Sequence, residues 1–104
     1  MDDRAKLISL CGQYAKYLEK RGIRARIPCG GEDELYAAQP PATNLVALSH
    51  IAWMMNAAAR MEPDSINKAM RWLGFIQGVL WCFGAFSIGA LRRHWTEGSV
   101  KEEH

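Results

Sequence analysis

The 104-residue sequence is poor in the residue patterns that catalysis and metal binding leave behind. Its three cysteines, Cys11, Cys29 and Cys82, stand far apart and form no CxxC pair. An odd, widely spaced set gives neither a disulfide framework nor a zinc site, so reduced thiols in a cytoplasm of bacterial type are expected. His50, His94 and His104 fall into no HExxH or Ser-His-Asp arrangement. Gly30-Gly31 lacks the Lys-Ser or Lys-Thr that would complete a phosphate loop. Glu32, Asp33 and Glu34 are adjacent acids of the kind that usually face solvent rather than a cation. Cys29 has no histidine near it in sequence to activate a thiolate. From these absences no enzyme activity, no cofactor and no metal site are expected.

A strong excess of charge is missing too. The net charge of +2 does not argue for nucleic acid, whose binders show a clustered basic surplus. Short basic groups do occur at Lys20, Arg21, Arg24 and Arg26, and again at Arg92, Arg93 and His94. Such runs are read as ordinary solvated surface. The opening MDDRAKLISLCGQYAK has neither the basic start nor the unbroken apolar stretch of a signal peptide, so no export is expected. Disorder of the whole chain is excluded by a hydrophobic content of 49%.

What the chain has in quantity is helical periodicity. Leu7, Cys11, Tyr14 and Leu18 line one side of a helix over 3–21, with Lys6, Gln13, Lys16 and Lys20 opposite. Acids at its start and bases at its end suit the helix dipole, and Gly22 supplies a stop. The segment 23–43 reads as an irregular connector, with a short alternating run at Ile23 to Ile27 and an acidic turn before Pro40-Pro41. A second helix is expected over 44–61, with Thr43 or Asn44 as its cap. Its Leu45, Leu48, Ile51, Ala52, Met55 and Ala59 share an arc, whereas Val46, Trp53 and Met54 project away from it. Glu62 to Ser65 is a tight connection in which Asp64 or Ser65 caps a third helix, making a hairpin of helices two and three.

That third helix, expected over 65–83, carries the most distinctive stretch. Between Leu73 and Leu91 no residue is charged, a run about as long as a bilayer span. Ile66, Ala69, Met70, Trp72, Leu73, Ile76, Val79, Leu80 and Phe83 form a broad apolar arc, however, with Lys68 and Arg71 in phase with a strip of Gly74, Gly78 and Cys82. Gly84 and Ser87 read as a helix stop and a new cap, leaving a short helix over 87–94. Gln77, set within the arc, finds a partner on a neighbouring helix more readily than in lipid. A membrane span is therefore not favoured.

The expected fold is all-α: one domain over 1–104, a small bundle of three main helices with a short C-terminal one. Trp53, Trp72, Trp81, Trp95, Phe75, Phe83 and Phe86 are many rings for a small bundle to hide. The surplus points to a protein–protein interaction module that pairs with itself as a homodimer. Its expected partner-binding residues are Trp53, Met54, Gly74, Gly78, Arg92, Arg93 and Trp95. Gly74-x-x-x-Gly78 would let another helix approach closely. Nucleic-acid binding through Arg24, Arg26, Arg71, Arg92 and Arg93, and membrane association through 73–91, are the alternatives.

The runs LSHIAWMM (Leu48 to Met55) and KAMRWLGFIQGVLW (Lys68 to Trp81) resemble small uncharacterised accessory proteins of temperate phages and prophages of enterobacteria. The resemblance covers Leu45 to Leu91 and omits the connector. It implies a cytoplasmic accessory protein of a phage in a bacterial host and brings no functional residues with it. The partner that the surplus apolar surface would bind is expected to be a host or phage regulatory factor. After Trp81 this chain departs from those relatives, which are more polar there.

Overall fold

The computed structural model describes residues 2–25 and 44–100, and four helices lie among them: α1 (Asp3–Glu19), α2 (Asn44–Ala59), α3 (Ile66–Cys82) and α4 (Ile88–Glu97). No strand occurs among the described residues, so the all-α expectation is borne out.

Helix α1 starts where Asp2 accepts a hydrogen bond from the Ala5 N–H at 2.7 Å. Leu7, Leu10, Cys11, Tyr14 and Leu18 are buried, the 3.6-residue stripe of an amphipathic helix. Gly22 ends it with φ +80°, while Ile23 N–H donates to Leu18 O and Gly22 N–H to Glu19 O. This left-handed turn satisfies the last carbonyls, and only glycine adopts it without strain.

Helix α2 is sandwiched between α1 and α3. Contact from two sides explains why its buried residues, from Ser49 and His50 through Ile51, Ala52, Met54, Met55 and Ala58, exceed one arc. Met54, expected at the surface, is only 4% exposed. A residue outside one helical arc still faces protein when a second helix covers that side.

Pro63–Ser65 make one 3-10 turn leading into α3, with Pro63 in its first turn. Ser65 stands at the cap of α3 but its side chain makes no capping hydrogen bond, contrary to expectation. Its own N–H donates to Glu62 O at 2.8 Å, so the turn is closed through the backbone. Ala69, Leu73, Ile76 and Leu80 carry α3 into the core. Each fully buried Leu or Ile of this kind contributes roughly 1.5–3 kcal/mol of apolar transfer free energy.

Gly84 (φ +74°) terminates the third helix as Gly22 does the first, with Ala85 N–H donating to Leu80 O and Gly84 N–H to Trp81 O. Ser87 Oγ then accepts from Ala90 N–H at 3.1 Å and opens α4, which runs to Glu97, three residues beyond its expected end. The apolar run is thus divided as its glycine and serine predicted. Among the described residues, no helix is long and apolar enough to cross a membrane. Beyond Ala25, the alternating strand and the acidic turn expected in the connector lie outside the described residues.

Candidate interaction face

The interior first, because it sets where α4 stands. Tyr14 on α1, Gln77 on α3 and His94 on α4 meet in one buried polar cluster. The Tyr14 hydroxyl lies 2.8 Å from His94 Nδ1, and Gln77 Nε2 donates to it at 3.2 Å. Gln77 therefore finds its partner on a neighbouring helix, as its place in the apolar arc implied. Phe86, in the turn before α4, packs its ring on Tyr14 (5.8 Å), Tyr17 (4.7 Å) and edge-on to His94 (4.8 Å). Burial pushes the Tyr14 hydroxyl up to about 12, partly opposed by the Gln77 hydrogen bond and reinforced by Cys11. Burial likewise raises the Cys11 thiol to about 12, so this cysteine is an inert core thiol rather than a nucleophile. On the polar side of α1, Gln13 Oε1 accepts from Val100 N–H at 2.7 Å, and Ser9 Oγ donates to Gly98 O at 3.4 Å. These bonds hold the chain just after α4 against α1.

With α4 fixed in this way, one side of α3 is left uncovered by the other described helices. Gly74 and Gly78, one turn apart, are exposed, and a Cβ at either would meet nothing within 4 Å. On the helical wheel Phe75 and Trp81 flank this strip, and they are 54% and 50% exposed. Phe83 (39%) and Ile88 (49%) continue the apolar exposure through the turn into α4. At roughly 100 Å² each, four such side chains amount to about 400 Å², the size at which a monomer's largest patch is often functional. Gln77, Gly78, Trp81, Ile88, Leu91 and Arg92 also line a surface hollow of about 330 Å³ where α3 meets α4.

Of the residues expected to bind a partner, Gly74, Gly78 and Arg92 come together on this face. Arg93 is exposed on α4, with its guanidinium beside Gly89. Trp53 is half-buried between His50, which stacks on it at 5.8 Å, and Trp72 at 6.0 Å. The positions of Trp53 and Trp72 are those of facing residues in the α2–α3 hairpin. Trp95 was expected to be exposed but packs against the core, with the Lys6 ammonium 5.3 Å from its ring. His94, read as part of a surface basic cluster, is buried.

Four large side chains of the face, Phe75, Trp81, Phe83 and Ile88, were not among the expected contact residues. The signal for two of them was in the sequence: Phe75 and Trp81 fall outside the apolar arc of α3 and beside its glycines. Phe83 belongs to that arc in phase, but the helix stops at Cys82 and phase no longer governs where its ring points. Among the described residues no three His, Cys, Asp or Glu gather in a group that could hold a metal ion. The chain matches no family model, no curated protein and no solved structure, so the face is read from its own residues alone.

Proposed function

We propose that this chain is a non-enzymatic protein–protein interaction module whose contact surface is the exposed side of α3 and the turn that follows. The observation that carries the reading is the exposure of Phe75, Trp81, Phe83 and Ile88 beside the bare backbone of Gly74 and Gly78. Leaving rings of this size in water forfeits the burial free energy that a partner would supply. A twofold homodimer with Gly74 and Gly78 at its seam is one form of this reading, and a host or phage regulatory factor on the same face is the other. The setting, the cytoplasm of a bacterial host and a temperate phage or prophage, follows from the resemblance of Leu48 to Met55 and Lys68 to Trp81. Nucleic acid is the less favoured partner, because α3 offers rings and glycines where a groove-reading helix offers polar side chains.

A photo-crosslinking amino acid placed at Phe75, in cells that express the full chain, tests the reading. Protein adducts are expected at this position and none at Lys16, an exposed control on α1. Equal labelling at the two positions, or none at Phe75, would overturn it. Sedimentation equilibrium on the purified chain then distinguishes the homodimer from the monomer that awaits a different partner.

A further inference from the structure

The stretch of sequence that builds the uncovered face, between Asp64 and Glu97, carries charge of one sign. From Ser65 to Thr96 the sequence holds Lys68, Arg71, Arg92 and Arg93 and neither Asp nor Glu. Arg71 is exposed and extends the Gly74–Gly78 strip by one turn toward the start of α3, about 10 Å along the axis from Gly78. Arg92 lines the hollow at the other end of the strip, beside Trp81, Ile88 and Leu91. We propose that the occupant of this face is an acidic amphipathic helix of another protein. It lies in the glycine groove, places one large apolar side chain in the hollow, and sets carboxylates against Arg71 and Arg92. This inference rests on the interaction-module reading and selects between its two forms.

Three observations point to that occupant. The first is the floor of the groove: with no Cβ at Gly74 or Gly78, a second helix axis comes near the short end of the 8–10 Å packing range, while Phe75 and Trp81 form walls on either side. An extended strand or a flat lipid surface makes no use of such a channel. The second is the hollow of about 330 Å³, which has room for at least one large aliphatic or aromatic side chain and so offers an anchor position of the kind helix-in-groove recognition uses. The third is charge. In a twofold dimer over this face both surfaces are the same, so Arg71 and Arg92 would meet the second copy's rings, glycines and cations but no carboxylate from the stretch Ser65 to Thr96. An acidic helix instead offers each guanidinium a charge-assisted, two-pronged partner, and complementary fields speed the encounter. The partner is recognised by a pattern: apolar residues at i, i+3 or i+4, and i+7, with Glu or Asp on both flanks.

The test is a selection from a display library of random 16-residue peptides with a helix-forming background, using the full chain as bait. Enriched sequences are expected to share the apolar spacing and a net negative charge. Gly78→Leu fills the groove at an exposed position where an added Cβ meets nothing within 4 Å, and should weaken the selected peptides at least about tenfold while leaving the thermal transition intact or raised. Arg92→Glu should cost about tenfold as well and shift a repeated selection toward basic peptides. Enriched peptides without acidic bias, or peptides whose binding survives Gly78→Leu, would overturn the proposal. So would a dimer in sedimentation equilibrium that Gly78→Leu dissociates, which would assign the face to a second copy and leave the interaction-module reading standing. Binding to phosphatidylglycerol vesicles that Gly78→Leu and Arg92→Glu abolish, with no peptide selected, would overturn both.

Discussion

The Tyr14 hydroxyl and His94 Nδ1, 80 residues apart in sequence, lie 2.8 Å apart in the interior, and Gln77 donates to the same oxygen. One phenol thus joins α1, α3 and α4. Tyr14→Phe keeps the ring and removes the oxygen, taking that hydrogen bond from the buried His94 and the half-buried Gln77. The expected loss is about 1–3 kcal/mol in urea unfolding, the cost of stranding a buried donor or acceptor. Gln77→Leu in the Tyr14→Phe background should restore part of that loss, because an apolar pair needs no partner. A Tyr14→Phe variant as stable as the parent would show that the cluster does not hold α4.

Alkaline pH should loosen the fold. Cys11 and Tyr14 ionise in the unfolded chain near their ordinary values of 9.0 and 10.0, whereas burial holds both at about 12 in the folded one. Between those limits the folded state binds more protons than the unfolded state, so stability falls as pH rises. Unfolding free energy measured from pH 7 to 11 should be flat below about 9 and then decline. Cys11→Ala should make the decline shallower, whatever it does to stability at neutral pH. An equally steep decline in Cys11→Ala would remove Cys11 as its source.

Two glycines six positions apart should respond to alanine with opposite signs. Gly78 lies inside a helix, in the open, so Gly78→Ala gains roughly 0.5–1 kcal/mol of helix propensity. Gly84 has φ +74°, where a Cβ crowds the following carbonyl, and Gly84→Ala should cost about 1–2 kcal/mol even though no neighbour is struck. Thermal unfolding of the two variants side by side decides it, and a shift in the same direction would contradict the assignment.

Met54 and Phe75 supply a third contrast, between core and face. Met54→Ala opens a cavity between helices and should cost about 2–5 kcal/mol. Phe75→Ser leaves the core untouched and should change stability by no more than about 1 kcal/mol, while reducing retention on an apolar chromatography resin. If Phe75→Ser destabilised the protein as much as Met54→Ala, the ring would be a core residue and the face would lose its centre.

Much of this was legible in the sequence where local physics decides the outcome. The stripe from Leu7 to Leu18, the stops at Gly22 and Gly84 and the cap at Ser87 depend on periodicity and backbone geometry within a few residues. Burial from two sides is not local. Met54 was read as exposed because it lies off a single arc, and Trp95 because it follows the basic pair Arg92-Arg93 near the end, yet α2 is covered twice and Trp95 packs on the core. The pairing of Tyr14 with His94 left no local trace, since nothing at either residue specifies a partner so far along the chain. For the face, the glycines and Arg92 were legible, whereas Phe75 and Trp81 were counted among the rings but not placed.

The bonds from Ser9 to Gly98 and from Gln13 to Val100 span 89 and 87 residues. At ribosomal rates of about 5–20 residues per second, α1 emerges roughly 4–18 s before the residues that complete its polar side exist. Helix α1 alone leaves Tyr14 and its leucine stripe open to water until α2 and α3 follow, and its polar side waits for the residues after α4. The order of synthesis is therefore the reverse of the order of closure: the first helix made is among the last to be finished.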